Sequence, residues 1–198
     1  MVLFAKLQSY GIEVAPYFIV RKEADVERAV SAIGYPLVVK LASGEHKTDI
    51  GGVVTNIYTE EMLYTTLAYF RRKFKNKPLL FQKQINEGIE VYVGIKRDEN
   101  FGNVIVLGLG GIYVEVFKDI SARICPIREE DVYEMVEELK SRKVLLGYRG
   151  EGVNIEALAK LMVRLCRFAR VERIMELDLN PVKVSKRAAV VLDARVAK

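Results

Sequence analysis

Helical and extended hydrophobic patterns alternate along the first part of the chain. Apolar residues at helical spacing predict a helix over residues 23–33. An apolar run then predicts a strand over residues 35–41, and residues 53–57 form the expected returning strand. A second helix is expected over residues 60–74, before the chain breaks at Pro78.

Extended segments dominate the next part of the chain. Strands are predicted at residues 79–85, 89–95 and 103–108, and the short turns between them favour antiparallel pairing of neighbours. The remaining expected elements are strands at 112–117 and 120–125, helices at 129–140 and 155–170, and terminal strands at 173–179 and 188–192. This order of elements indicates an α+β fold.

Composition restricts the class of protein. A chain of 198 residues with 51% hydrophobic and 29% charged residues fits one domain or two small lobes packed closely. No apolar run approaches the ~20 residues that span a bilayer, so we expect a soluble cytoplasmic protein with no membrane partner. Cys125 and Cys166 lie far apart without a CxxC spacing, so we expect two ordinary thiols and neither a disulfide nor a zinc site.

The positive charge leaves several partners open. A net charge of +5 suits nucleic acid, nucleotide phosphates or simply a charged surface. The densest basic run, residues 71–77, closes a predicted helix, where cations complement the helix dipole. We therefore favour a solvated helix end over a nucleic-acid patch, and expect no nucleic-acid partner.

A glycine-bounded polar loop holds His46, the only histidine of the chain. The strand before the loop ends in Lys40, and Gly51 and Gly52 precede the returning strand. Lysine supplies a point charge and glycines allow backbone N–H groups to approach an anion, which suits a phosphate site. A hairpin with a merely solvated polar tip explains the same spacing equally well.

Oxygen-bearing side chains cluster in the last strands. Strand alternation places Glu176, Asp178 and Asn180 on one face, and Asp193 of the neighbouring strand is able to join them. Such a set suits Mg²⁺, which keeps waters and shares substrate phosphates, although an ordinary solvent-facing strand has the same pattern. Glu90 is a further candidate, since its carboxylate faces either ribose hydroxyls or water.

Several blocks in fixed order resemble one known family. They are Tyr35-Pro36-Leu37-Val38-Val39-Lys40, residues 46–53, residues 88–94, residues 101–112, residues 114–119, residues 147–151, residues 176–181 and Asp193-Ala194-Arg195. Together they resemble the β subunit of ADP-forming acetyl-CoA (acyl-CoA) synthetases, which is related to the succinyl-CoA synthetase β subunit. The resemblance runs from about residue 7 to residue 196. It implies the ATP-grasp fold, in which two small α/β lobes, here residues 15–85 and 86–198, enclose a nucleotide.

The resemblance also implies a role for each candidate residue. The nucleotide ligands would be Lys40 at the phosphates, Gly51 and Gly52 in the loop over them, Gln82 in the hinge at the adenine site, and Glu90 at the ribose. Asn180 and Asp193 would ligate Mg²⁺. His46 would relay the phosphoryl group, and Asp178 would steady phosphohistidine near the nucleotide.

The implied activity is that of an acid-thiol ligase. The family reaction is acyl-CoA + ADP + phosphate = acid + CoA + ATP, with ATP or ADP and Mg²⁺ on this chain. CoA and the acyl group would belong to a separate α subunit in a hetero-oligomer. Lys83, which replaces a usual acid near the adenine site, and a short loop before His46 motivate the alternative of a non-catalytic nucleotide-sensing or partner-stabilising module.

Overall fold

The computed structural model describes residues 2–42, 47, 50–75, 77–110, 119–148 and 152–197. His46 and the strand expected at 112–117 lie outside the described residues. The chain divides into two compact units, Ala15–Asn86 and Val2–Val14 with Glu87–Lys198. The nucleotide-binding roles expected for the lobes 15–85 and 86–198 stay predictions.

The described elements are numbered in chain order. The helices are α1 (Val2–Ser9), α2 (Val26–Ile33), α3 (Glu60–Phe74), α4 (Glu129–Glu138), α5 (Arg142–Leu146) and α6 (Ile155–Val171). The strands are β1 (Tyr17–Val20), β2 (Leu37–Leu41), β3 (Val53–Ile57), β4 (Leu79–Lys83), β5 (Ile89–Asp98), β6 (Gly102–Leu109), β7 (Ile120–Ile124), β8 (Glu176–Val184), β9 (Ala189–Val191) and β10 (Ala194–Ala197).

The first unit is built on a four-stranded antiparallel sheet in the order β1-β4-β2-β3. One face carries α2 and α3, and its core includes the fully buried Phe70 and Phe81. Helix α3 begins at Thr59, whose side chain accepts a hydrogen bond from the Met62 N–H, and it has acids in its first turn and bases in its last. These local signals explain why the bounds predicted for α3 are confirmed.

The second unit is built on a larger antiparallel sheet, in which the described strands follow the order β10-β8-β5-β6-β7, with β9 pairing with β8. Helix α6 contacts β5, β6, β8 and β9, and buries Leu158, Leu165 and Phe168 completely. Helix α1 joins this unit, since the Tyr10 ring packs edge-on against Phe168 with centroids 5.1 Å apart.

The expected pairing of the strands at 79–85 and 89–95 is wrong. Strand β4 pairs with β1 and β2 in the first unit, whereas β5 pairs with β6 and β8 in the second. A short connection suggested a hairpin, but the buried apolar faces of the two strands belong to different cores. The pattern also missed α1, β1, α5 and β10, which are too short to show a clear period.

The expectation of two separate thiols is also wrong. Cys125 and Cys166 form a disulfide, with Cα atoms 5.6 Å apart and a sequence separation of 41. Cys125 directly follows β7, and Cys166 lies in α6, which packs on the adjacent strand β6. Tertiary packing, rather than any local spacing, therefore brings the two sulfurs together.

Loss of this disulfide should destabilise the second unit. A cross-link between distant residues restricts the unfolded chain, so replacing both Cys125 and Cys166 with alanine should cost about 2–4 kcal/mol of unfolding free energy. Urea unfolding of the oxidised protein measures the difference. Wild-type protein reduced with dithiothreitol is the matched control and should lose a similar amount. Equal midpoints for the oxidised and reduced wild type would contradict the disulfide.

Candidate functional site

In the first unit, Lys40 and Gln82 share the sheet face opposite the helices. Gln82 lies directly across from Val38 on β2, and Lys40 is two residues further along that strand. The intervening residue, Val39, points into the core beneath α2 and α3. Both polar side chains are buried, at 7% exposure for Lys40 and 2% for Gln82. The fold therefore places a lysine and an amide on one water-poor surface.

The Gln82 amide offers a buried donor. Its Nε2 atom has no hydrogen-bond partner among the described residues. An unsatisfied buried donor costs about 1–3 kcal/mol, which an acceptor atom on a ligand would recover. The donor is therefore placed to bind an acceptor atom of a ligand.

Lys83, the residue that departs from the family pattern, turns toward its own unit. Its Nζ atom donates a hydrogen bond to the Tyr35 carbonyl and a longer one, 3.5 Å, to the Gly34 carbonyl. The ammonium thus ties the end of β4 to the turn that precedes β2. The two backbone carbonyls therefore accept hydrogen bonds from the charged group of Lys83.

The glycine turn closes against the end of β2. Gly51 has a left-handed φ of +69°, which favours glycine. The Gly52 N–H donates to the Lys47 carbonyl at 2.6 Å, and the Gly52 carbonyl accepts from the Leu41 N–H at 2.9 Å. A Cβ on Gly52 would lie 2.9 Å from the Lys47 oxygen, so that turn also requires glycine. The backbone N–H of Gly52, expected to face an anion, therefore donates its hydrogen bond within the turn.

Helix α3 holds this turn from outside. The Tyr69 hydroxyl donates to the Gly51 carbonyl at 3.0 Å, and Lys73 Nζ donates to the Tyr69 oxygen at 3.1 Å. The same ammonium lies 5.4 Å from the centre of the Tyr69 ring. The sequence carries no signal for this support, because Tyr69 lies on an ordinary amphipathic helix.

In the second unit, polar residues of β5 and β8 share one sheet face, opposite the buried Val91, Val93, Leu177 and Leu179. We name this set the polar sheet face, and its members are Glu90, Tyr92, Asp178, Asn180 and Lys183. Glu90 lies across from Lys183, whose Nζ is 3.3 Å from Glu90 Oε1. Lys183 was not predicted as a site residue. It forms an ion pair with Glu90, the carboxylate that the sequence indicated as a candidate for ribose.

Tyr92 and Asp178 are joined directly on the polar sheet face. The Tyr92 hydroxyl donates a 2.6 Å hydrogen bond to Asp178 Oδ1. Burial, together with this hydrogen bond to a carboxylate, raises the pKa of Tyr92 well above its usual value. The phenol therefore stays protonated and acts as a donor.

A bulge in β8 sets the position of Asn180. Val91 pairs with Val182 and Val93 pairs with Leu179, so β8 has one extra residue at this point. The core-facing positions of β8 therefore shift from Leu177 and Leu179 to Val182 and Val184, and Asn180, just before the shift, is exposed. Such a bulge cannot be recognised from alternation, and the predicted strand ended before it.

Asp193 comes opposite Asn180 across the neighbouring strand. The Leu192 N–H donates to the Pro181 carbonyl at 3.0 Å, and Ala194 pairs with Leu179. Asp193 falls between these two links. The pair provides carboxylate and amide oxygens, the ligand chemistry that Mg²⁺ prefers. The part of the chain that the structure describes holds no group of three His, Cys, Asp or Glu side chains arranged for a metal.

Comparison with known proteins identifies the family of the chain. A family model for the ATP-grasp domain matches residues 4–197. The β subunit of ADP-forming acetate–CoA ligase I from Pyrococcus furiosus is 38% identical over 201 residues, which cover 96% of this chain and 87% of that subunit. The chain belongs to the ATP-grasp family of these β subunits. The predicted α+β ATP-grasp fold and the resemblance are therefore confirmed.

Longer proteins also contain this ATP-grasp domain. ADP-forming acetate–CoA ligase II from Archaeoglobus fulgidus is 40% identical over 194 residues, and the chain spans only 29% of its length.

A solved relative has the same fold at high similarity. Acetyl-coenzyme A synthetase 1 of Ca. Korarchaeum cryptofilum, in complex with coenzyme A and Ca-AMPCP, superposes with a TM-score of 0.89 at 34% identity. The match covers 98% of this chain and 89% of that one. Another structure of that enzyme contains Mg-AMPPCP, with its phosphohistidine segment pointing towards the nucleotide-binding site.

None of the described helices combines the length and apolar character needed to cross a bilayer.

Proposed function

We propose that this chain is the nucleotide-binding β subunit of an ADP-forming acyl-CoA synthetase. It transfers a phosphoryl group between phosphohistidine and ADP or ATP within the reaction acyl-CoA + ADP + phosphate = acid + CoA + ATP. The observation that carries the proposal is the placement of Asp178 beside Asn180, with Asp193 opposite, on a chain closely related to such subunits. We place this activity in the cytoplasm.

Each unit contributes one set of nucleotide contacts in this proposal. In the first unit, Lys40 binds phosphate oxygens, Gly51 and Gly52 shape the loop over them, and Gln82 donates to the base. In the second unit, Glu90 accepts hydrogen bonds from the ribose. The buried donor of Gln82 and the lysine-supported carboxylate of Glu90 have the polarity that these roles require.

The oxygen atoms of Asn180 and Asp193 would hold Mg²⁺. When bound, the ion neutralises negative charge on the phosphates that it shares with these side chains. Two protein ligands leave coordination positions for water and nucleotide, which fits the chemistry of this cation better than a closed protein cage.

His46 carries the phosphoryl group in the proposed mechanism. In the ATP-forming direction, a terminal oxygen of ADP attacks the phosphorus of phosphohistidine. A P–O bond forms as the P–N bond breaks, and the imidazole, which carries a proton on its other ring nitrogen, leaves in its neutral form. Asp178 would steady phosphohistidine near the nucleotide during the transfer.

A CoA-binding α subunit is the proposed partner. The Pyrococcus relative is named as a β subunit, and the Archaeoglobus relative is more than three times as long as the matched segment. The acyl phosphate would be made on that partner, since the residues proposed for this chain bind only the nucleotide or take part in phosphoryl transfer.

Reconstitution tests the proposed division of labour. We expect ATP formation from acyl-CoA, ADP and phosphate only when this chain is mixed with a co-purified α-type subunit. Each chain assayed alone is the control and should show no turnover. Full turnover by this chain alone would refute the division, whereas Mg-ADP binding with an inactive mixture would favour a nucleotide-sensing module.

A further inference from the structure

The contact between Tyr92 and Asp178 restricts one of the two carboxylate oxygens. Oδ1 accepts the 2.6 Å hydrogen bond from the phenol, so the carboxylate is fixed in rotation about its Cβ–Cγ bond. Both side chains are only partly exposed, which limits exchange of this bond with water. The second oxygen, Oδ2, is left to other donors.

Gly94 makes room for this arrangement. It lies directly across from Asp178 in the pairing of β5 with β8, two residues after Tyr92 on the same strand face. A Cβ at position 94 would come within 2.3 Å of the Tyr92 hydroxyl, and the three nearest heavy atoms all belong to Tyr92. The phenol therefore lies over the glycine to reach the carboxylate.

The phenol has one role in this pair. Burial and the adjacent carboxylate raise its pKa, so it remains a donor throughout the neutral and mildly alkaline range. A fixed donor on a strand, next to a strand-borne carboxylate, holds its partner more precisely than a loop residue does.

We propose that Tyr92 is a positioning residue for phosphoryl transfer, which fixes the carboxylate of Asp178 in the orientation that its proposed role requires. This inference rests on the proposed function and deepens it. Tyr92 touches neither substrate nor the reacting atoms in this proposal. Its contribution passes through Asp178.

Replacement of Tyr92 by phenylalanine tests the hydrogen bond alone. Y92F keeps the ring and removes the donor, so Asp178 loses its fixed orientation. In the reconstituted enzyme, we expect kcat to fall about tenfold to a hundredfold, because small misplacement of a catalytic group has effects of this size. The KM for ADP should stay within about twofold, since Tyr92 is not assigned to nucleotide binding.

Tyr10 provides a matched control. Its hydroxyl also donates to a carboxylate, Glu172 Oε1 at 3.2 Å, but this pair joins the residue after α1 to the residue after α6. Y10F should leave both kcat and KM unchanged. A fall in kcat of equal size in Y10F and Y92F would mean that the effect is structural, and would overturn the proposal.

Substitution of Gly94 gives a second, independent test. In G94A, the methyl group should push the flexible end of Tyr92 off Asp178, and kcat should fall as in Y92F. In a Y92A background there is no ring to displace, so adding G94A should change kcat by less than about twofold. Additive effects of G94A and Y92A would contradict the proposed route through Tyr92.

The outcomes separate this inference from the function on which it rests. If wild-type protein binds Mg-ADP and turns over in the mixture, but Y92F turns over at the wild-type rate, the positioning role fails alone. If the wild type neither binds Mg-ADP nor turns over, the proposed function fails first.

Discussion

Replacement of His46 by alanine should abolish ATP formation by the reconstituted enzyme, with a loss of at least about a thousandfold. The chain contains one histidine, so no other imidazole on it is able to accept the phosphoryl group. Stabilisation of the protein by Mg-ADP should remain, because the proposed nucleotide ligands are intact. Turnover assays and thermal shift measured on the same preparation check both parts.

Phosphate analysis gives the matching chemical test. In wild-type protein labelled with γ-phosphate-labelled ATP, the label should be acid-labile and base-stable, as expected for phosphohistidine. H46A should incorporate none. Acid-labile label that persists on the H46A chain would remove His46 from the mechanism.

Replacement of both Asn180 and Asp193 by alanine should eliminate most of the stabilisation by Mg-ADP. At a nucleotide concentration 1,000 times the dissociation constant, binding adds about 4.1 kcal/mol to the unfolding free energy of the wild type. Without the two proposed ligands, the ion and its shared phosphates lose their protein anchor. Thermal or urea unfolding with and without Mg-ADP measures the difference.

The control for this variant comes from the same sheet. Glu99 and Asn100 are exposed residues between β5 and β6, and replacing both with alanine removes one acid and one amide there. This double variant should keep the full response to Mg-ADP. A normal response in the Asn180 and Asp193 variant would show that the magnesium ligands have been assigned wrongly.

Lys40 offers a separate check on the phosphate contact. K40M removes the ammonium while keeping an apolar stem suited to its buried strand position. Its unfolding midpoint without nucleotide shows whether the fold survives, and its response to Mg-ADP should be greatly reduced.

Hydrophobic patterning by itself predicted most of the secondary structure. Helix α3 was predicted from its basic last turn and the break at Pro78, while β3 was predicted as the strand that returns after the glycine turn, and both have the predicted bounds. Alternation also placed Asp178 and Asn180 on the face opposite Leu177 and Leu179, as found in β8. These features are local, because each depends on residues within one or two turns or one strand.

The candidate chemistry was likewise visible in the sequence. The single histidine, the lysine at the end of a strand and the ordered family blocks were sufficient to indicate the ATP-grasp family. The family assignment came from the resemblance, because several sequence blocks in one order are far more specific than any one of them. The roles of individual residues stay predictions.

Tertiary structure alone decided which distant residues meet. The disulfide between Cys125 and Cys166 and the hydrogen bond from Tyr92 to Asp178 join positions that are far apart in sequence. Conversely, β4 and β5 are neighbours in sequence but belong to different sheets. Local periodicity indicates which face of a helix or strand is apolar, but it does not indicate which other element covers that face. Burial of those faces in two separate cores fixed the strand order, and with it the bulge at Asn180 and the contacts around Asp178.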